Sequence, residues 1–95
     1  MSTFKEYLSE NISSFEIGSV YRLELAGEYG SFEYFLPESV QKNGRYKGKT
    51  IYAYLGKSGR TLFKKAVNKS VEAYGKWELV SPREVPKEVK SKFNL

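Results

Sequence analysis

"TLFKKAVNKSVEAYG", residues 61–75, is the stretch on which the fold turns. Read at a period of 3.6, Leu62, Phe63, Ala66, Val67, Val71 and Tyr74 make one apolar stripe, and Gly75 stands where a helix end takes a glycine. The spacing predicts an amphipathic helix over 61–74. Just before it, "TIYAYL", 50–55, alternates at a period of two. Ile51, Ala53 and Leu55 face one way, and Thr50, Tyr52 and Tyr54 face the other. The helix would then lay Phe63, Val67 and Val71 on Ile51, Ala53 and Leu55.

Working outward, "TFKEYLSENI", 3–12, reads as a short helix. Thr3 and Glu6 have capping-box spacing, and Phe4, Tyr7, Leu8 and Ile12 share a face. "SVYRLEL", 19–25, and "FEYFL", 32–36, read as strands joined by the glycine-bearing "AGEYGS". Pro37 makes an extended exit from the second strand. "KWELV", 76–80, is a further strand, with Trp77 assigned to the core. In "SPREVPKEVKSKF", 81–93, Ser81 and Glu84 have capping-box spacing, and two prolines let a helix start at Pro82 or Pro86. Val85, Val89 and Phe93, four apart, would dock it. The expected fold is therefore α+β, a small single domain with the order α-β-β-β-α-β-α. Its mainly antiparallel sheet packs on the helix 61–74.

Composition narrows the chemistry. Ninety-five residues make one domain with a modest core, and fifteen of them are aromatic. The chain has no Cys, His or Asp. The usual zinc, iron and copper sites and the His-dependent catalytic triads are thereby excluded. No catalytic residue, metal or cofactor is assigned, and the chain is read as a non-enzyme. The richness in Lys and Glu, with no Cys and one Gln, resembles hyperthermophile usage. No secretory signal or long apolar run is present, so a soluble, intracellular, cytoplasmic protein without membrane contact is expected.

Charge is distributed unevenly. Residues 1–41 hold two bases and seven acids, whereas residues 42–95 hold fourteen bases and four acids. No acid stands between Glu38 and Glu72. Such a segment creates a local positive field that acts on partners within about 10 Å.

Two basic glycine loops lie in that segment. "NGRYKGKT", 43–50, resembles a phosphate-binding P-loop but lacks its leading glycine. It also runs into a strand where a P-loop opens a helix, and no Asp is present to hold Mg²⁺. A P-loop NTPase is excluded. Asn43-Gly44 and Gly48 read as turn residues joining two strands. The second loop, "LGKSGRTLFKK", 55–65, leads into the expected helix, with Ser58 or Thr61 as its cap. Lys64 and Lys65 in a first helical turn are unfavourable by roughly 0.3–1 kcal/mol each, a term that a bound phosphate would reverse.

These features point to a small basic nucleic-acid-binding protein. The expected phosphate contacts are Arg45, Lys47, Lys49, Lys57, Arg60, Lys64 and Lys65, with Gly48, Ser58, Gly59 and Thr61 in the two loops and at the helix N-terminus. Tyr46 lies in the first loop. Tyr52 and Tyr54 form a second candidate surface on which bases could stack. Glu24, Glu33 and Glu78, opposite the aliphatic faces of neighbouring strands, argue against that platform unless they pair with Arg22 or with tyrosine hydroxyls. The alternative reading is a protein-interaction module. It would regulate or inhibit an acidic partner, or pair head to tail with its own copy through its acidic and basic halves.

Overall fold

The structure is a computed structural model that describes residues 13–25 and 30–95. The expected helix at 3–12 lies outside the described residues. What is described is a mostly antiparallel sheet with one α-helix. Strands β1 (Val20–Glu24), β2 (Phe32–Val40), β3 (Tyr46–Leu55), β4 (Thr61–Phe63), β5 (Val67–Val71) and β6 (Glu78–Val80) precede a 3₁₀ turn at Pro82–Glu84. Helix α1 (Lys87–Phe93) follows it. The sheet runs β4-β3-β2-β1-β6, and β5 also pairs with β3.

Residues 61–74 are therefore not the helix that their apolar spacing suggests. Leu62 pairs with Tyr54 and Val67 pairs with Thr50, so five steps on one strand face four on the other. β4 and β5 are thus one edge strand interrupted by a bulge at 64–66. The physical reason lies in the spacing. Phe63, Val67 and Val71 are four apart, which suits a helical face and also any strand face of period two. Thr61, Asn68, Ser70 and the β-branched valines are poor helix formers, and β3 needs a partner along its second edge. The outcome alters the core. Val71 is buried and Phe63 is partly buried, but Val67 is 43% exposed.

The two basic loops prove to be the same hairpin built twice. In the first, Gly44 N–H donates to the Gln41 carbonyl at 3.0 Å and Gln41 N–H to the Arg45 carbonyl at 2.7 Å. In the second, Gly59 N–H donates to the Gly56 carbonyl at 3.0 Å and Gly56 N–H to the Arg60 carbonyl at 2.7 Å. Gly44 (φ 85°) and Gly59 (φ 83°) occupy the left-handed position that ends such a turn. "KNGR" and "KSGR" are equivalent turn sequences.

Gly48 is a different case, and its assignment to a turn is corrected. It lies inside β3, opposite Pro37 on β2 and Lys69 on β5. A Cβ there would fall 2.0 Å from the Leu36 carbonyl oxygen. The close approach coincides with a bulge at Glu38, where the β2–β3 register shifts between Pro37 and Ser39.

The sheet carries a core on each face. On one face Val85, just before the helix, and Val89 and Phe93 of α1 pack over Val20, Tyr34, Leu36, Ile51, Ala53 and Val80. Burial of Val89 and Phe93 contributes about 1.5–3 kcal/mol each. This docking is the one that the four-residue spacing suggests. The helix starts after Pro86, and Asn94 ends it in the left-handed conformation. On the other face Phe15 is a hub for Tyr21, Phe35, Tyr46 and Trp77, with ring centroids 4.5, 5.4, 5.1 and 5.8 Å away. Trp77 is buried there, as assigned.

Two pairs of substitutions check this architecture by urea denaturation. Gly48→Ala is expected to cost several kcal/mol, because backbone must move. Gly44→Ala, in open space, should cost only about 1–2 kcal/mol for its positive φ. Val71→Asp should be strongly destabilising, whereas the exposed Val67→Asp should change stability by about 0.5–1 kcal/mol.

Candidate nucleic-acid interface

The strand registers divide the expected contact residues between two faces. Residues 46, 48, 50, 52 and 54 of β3 point to the face of the Phe15 cluster, here called the tyrosine face. Residues 47, 49, 51, 53 and 55 point to the helix face. Lys47 and Lys49 therefore lie on the helix side, beside Ser70 and Asn68. Tyr52 and Tyr54 lie on the opposite side. The two loops also sit at opposite ends of the ten-residue β3, about 30 Å apart at 3.3 Å per residue. The full set of expected contacts does not converge on one surface.

Several of these residues are engaged within the fold. The Arg45 guanidinium donates to the Ser70 hydroxyl at 3.1 Å and the Ser70 carbonyl at 2.9 Å, and lies 3.8 Å from Glu72. It ties the first hairpin to β5. Tyr46 packs edge-on against Phe15 and is part of the core wall. Gly48 is buried. Thr61 opens β4, so no helix N-terminus exists there to hold an anion.

What the structure does assemble is the open end of the tyrosine face. Tyr54 is 39% exposed and stands directly across from Leu62, which is 44% exposed. The Lys64 ammonium lies over the face of the Tyr54 ring, 5.9 Å from its centre. Lys57, Ser58, Gly59 and Arg60 form the exposed hairpin next to them, and Lys65 is exposed in the bulge. A cleft of about 470 Å³ is lined by Leu25, Ser31, Tyr52, Ala53, Tyr54 and Lys64. A larger hollow of about 540 Å³ lies between β1, β6 and α1, but among the described residues its lining includes Glu16, has Lys90 as its one cation and contains no aromatic ring.

The glutamate objection to the tyrosine surface falls away in the register. Glu78 pairs with Arg22, and Arg22 with Tyr34, which places Glu78 and Glu24 on the helix face. There Arg22 donates to Glu78 at 3.0 Å and lies over the Phe32 ring at 5.1 Å. Glu33 is on the tyrosine face but only 3% exposed. It accepts from the Lys69 ammonium at 2.7 Å and from the Thr50 hydroxyl at 2.7 Å. Lys69 also donates to the Tyr52 hydroxyl at 2.9 Å. Sequence reasoning foresaw such pairing in kind, but it did not single out Lys69. The one available signal was its place in the acid-free segment.

Burial alone would lower the pKa of Lys69; its hydrogen bonds to Glu33 and Tyr52 outweigh burial and hold the ammonium above the ordinary lysine value. Burial likewise pushes the Tyr21 phenol up, partly offset by the hydrogen bond it accepts from the Glu16 amide. The face thus carries a carboxylate that is neutralised internally and a tyrosine fixed by that same ion pair.

Among the described residues no group of three or more His, Cys, Asp or Glu is placed to hold a metal. No described helix is long and apolar enough to cross a membrane. Comparison of the chain with protein-family models, curated proteins and solved structures finds no match.

The network has a pH signature. Folding raises the affinity of Lys69 and Tyr21 for their protons. The resulting stability is complete below their unfolded values of about 10–10.4 and is lost as pH rises through the higher folded values. Urea midpoints should therefore be flat from about pH 7 to 9 and fall above about pH 10. Lys69→Met, which strands Glu33, should cost about 2 kcal/mol at pH 7, less than a fully buried pair because the ammonium is partly solvated. That gap should narrow above pH 10.5.

Proposed function

We propose that this domain binds nucleic acid through the open end of its tyrosine face. Tyr52 and Tyr54 offer aromatic surface, and Lys57, Arg60, Lys64 and Lys65 offer charge to phosphate. The observation that carries the reading is the union of two exposed features on one side of β3. An accessible ring and a cleft stand beside cations that make no ion pair among the described residues, while Glu33, in the same row, is buried against Lys69. Aromatic side chains stack bases at about 1–3 kcal/mol each, and surrounding lysines and arginines hold the backbone. Lys47 and Lys49, turned to the other face, are outside this interface. Arg45 and Gly48 serve the fold.

A second reading follows from that same division. Bases on both faces and at both ends of β3 suit a protein partner that wraps an edge of the sheet. Lysines on the β4–β5 edge also discourage one copy from pairing with another through that edge.

Labelled oligonucleotides titrated at several salt concentrations separate these readings. Replacing Lys57, Arg60 and Lys64 by Gln should weaken binding and reduce the slope of log K against log [salt] by about 2, at about 0.7 per single-strand contact. Replacing Lys47 and Lys49 by Gln should leave both affinity and slope nearly unchanged. Equal loss from both sets would put the contact surface elsewhere. Binding of an acidic peptide but of no oligonucleotide would favour the protein partner.

A further inference from the structure

We infer that the cleft at the open end of the tyrosine face takes one unpaired nucleobase, so the ligand is single-stranded; this rests on the nucleic-acid reading above. The cleft's 470 Å³ falls within the roughly 300–1,000 Å³ typical of small-molecule sites. Its lining is the kind a base selects: the apolar Leu25, two tyrosine rings, the hydroxyl-bearing Ser31 and one cation, Lys64.

The two tyrosines have separate tasks. Tyr52 is half-buried and its hydroxyl is held by Lys69, which is itself held by Glu33. Its ring is a fixed wall, so ordering it costs binding nothing further. Tyr54 is the accessible ring, and the cross-strand Leu62 extends its apolar surface toward a neighbouring base. Lys64, whose ammonium lies over that ring 5.9 Å from its centre, gives up the ring face to a stacking base and is then within reach of that nucleotide's phosphate. Lys57 and Arg60, on the adjoining hairpin, continue that charge along the strand.

A duplex cannot use this arrangement. Paired bases keep their faces stacked on one another, and only their edges are open in the grooves. A base reaches an aromatic wall within a concave site only when it is unpaired or flipped out, which costs a few kcal/mol in a duplex. The cleft therefore adds affinity for single strands, while the lysines serve either form.

The test is fluorescence anisotropy with a labelled 12-mer oligothymidylate and a mixed-sequence 12-mer duplex, using the parent, Tyr54→Ala and Tyr54→Phe. Circular dichroism checks that each variant folds, which the exposure of Tyr54 favours. The single strand should bind at least tenfold more tightly than the duplex. Tyr54→Ala should weaken single-strand binding by about 5- to 150-fold. It should leave the salt slope and duplex binding unchanged, and Tyr54→Phe should stay within about twofold of the parent. Equal binding of both forms, or a Tyr54→Ala variant that binds the single strand like the parent, overturns the base site while leaving nucleic-acid binding intact. Failure of both oligonucleotides to bind at low salt overturns the underlying reading as well.

Discussion

The fold depends on one place where two backbones come too close for a side chain. At Gly48 the middle of β3 passes the Leu36 carbonyl so tightly that even a methyl group would overlap its oxygen. The neighbouring bulge at Glu38 shifts β2 by one residue, while β3 continues without interruption. The ten residues of β3 thus keep a single alternation from Tyr46 to Leu55, and that alternation sorts every side chain into the helix-covered core or the tyrosine face. The absence of a side chain at 48 also leaves room above the strand. Lys69, opposite Gly48, extends along the face to Tyr52 and Glu33.

That ion pair links folding to surface chemistry. A carboxylate exposed beside Tyr52 would repel phosphate. Buried and bonded to Lys69 and Thr50, it fixes the tyrosine and contributes little field outside. The lysine is correspondingly occupied. A basic residue in an acid-free stretch is thus no measure of available charge, and Arg45, spent on Ser70 and Glu72, makes the same point at the other hairpin. The free positive charge is smaller than the composition implies, and on the tyrosine face it lies around the second hairpin and the bulge.

The misreading of 61–74 has a specific source. A frustrated helix start, with Lys64 and Lys65 against the dipole, invited a bound anion as its remedy; the conflict between local preference and assigned structure was itself evidence against a helix. In a bulged edge strand those lysines meet no such penalty, and they guard an edge that pairs with no further strand among the described residues. The turn chemistry offered the same correction, since "KSGR" repeats "KNGR" and both close hairpins.

The sequence by itself determined what depends on nearest neighbours along the chain: the alternation of 19–25, 32–36 and 50–55, the docking of Val85, Val89 and Phe93, the core position of Trp77, and the polarity of charge. Spacings of four at 63, 67 and 71 satisfy a helix and a strand alike, so the choice fell to the tertiary structure, through the unpaired edge of β3. Tertiary structure alone also decided that Gly48 is a contact rather than a turn, that Glu33 is silent, and that Lys47 and Lys49 face away from Tyr52 and Tyr54. Each of these is set by a residue on another strand, at a register that no single segment encodes.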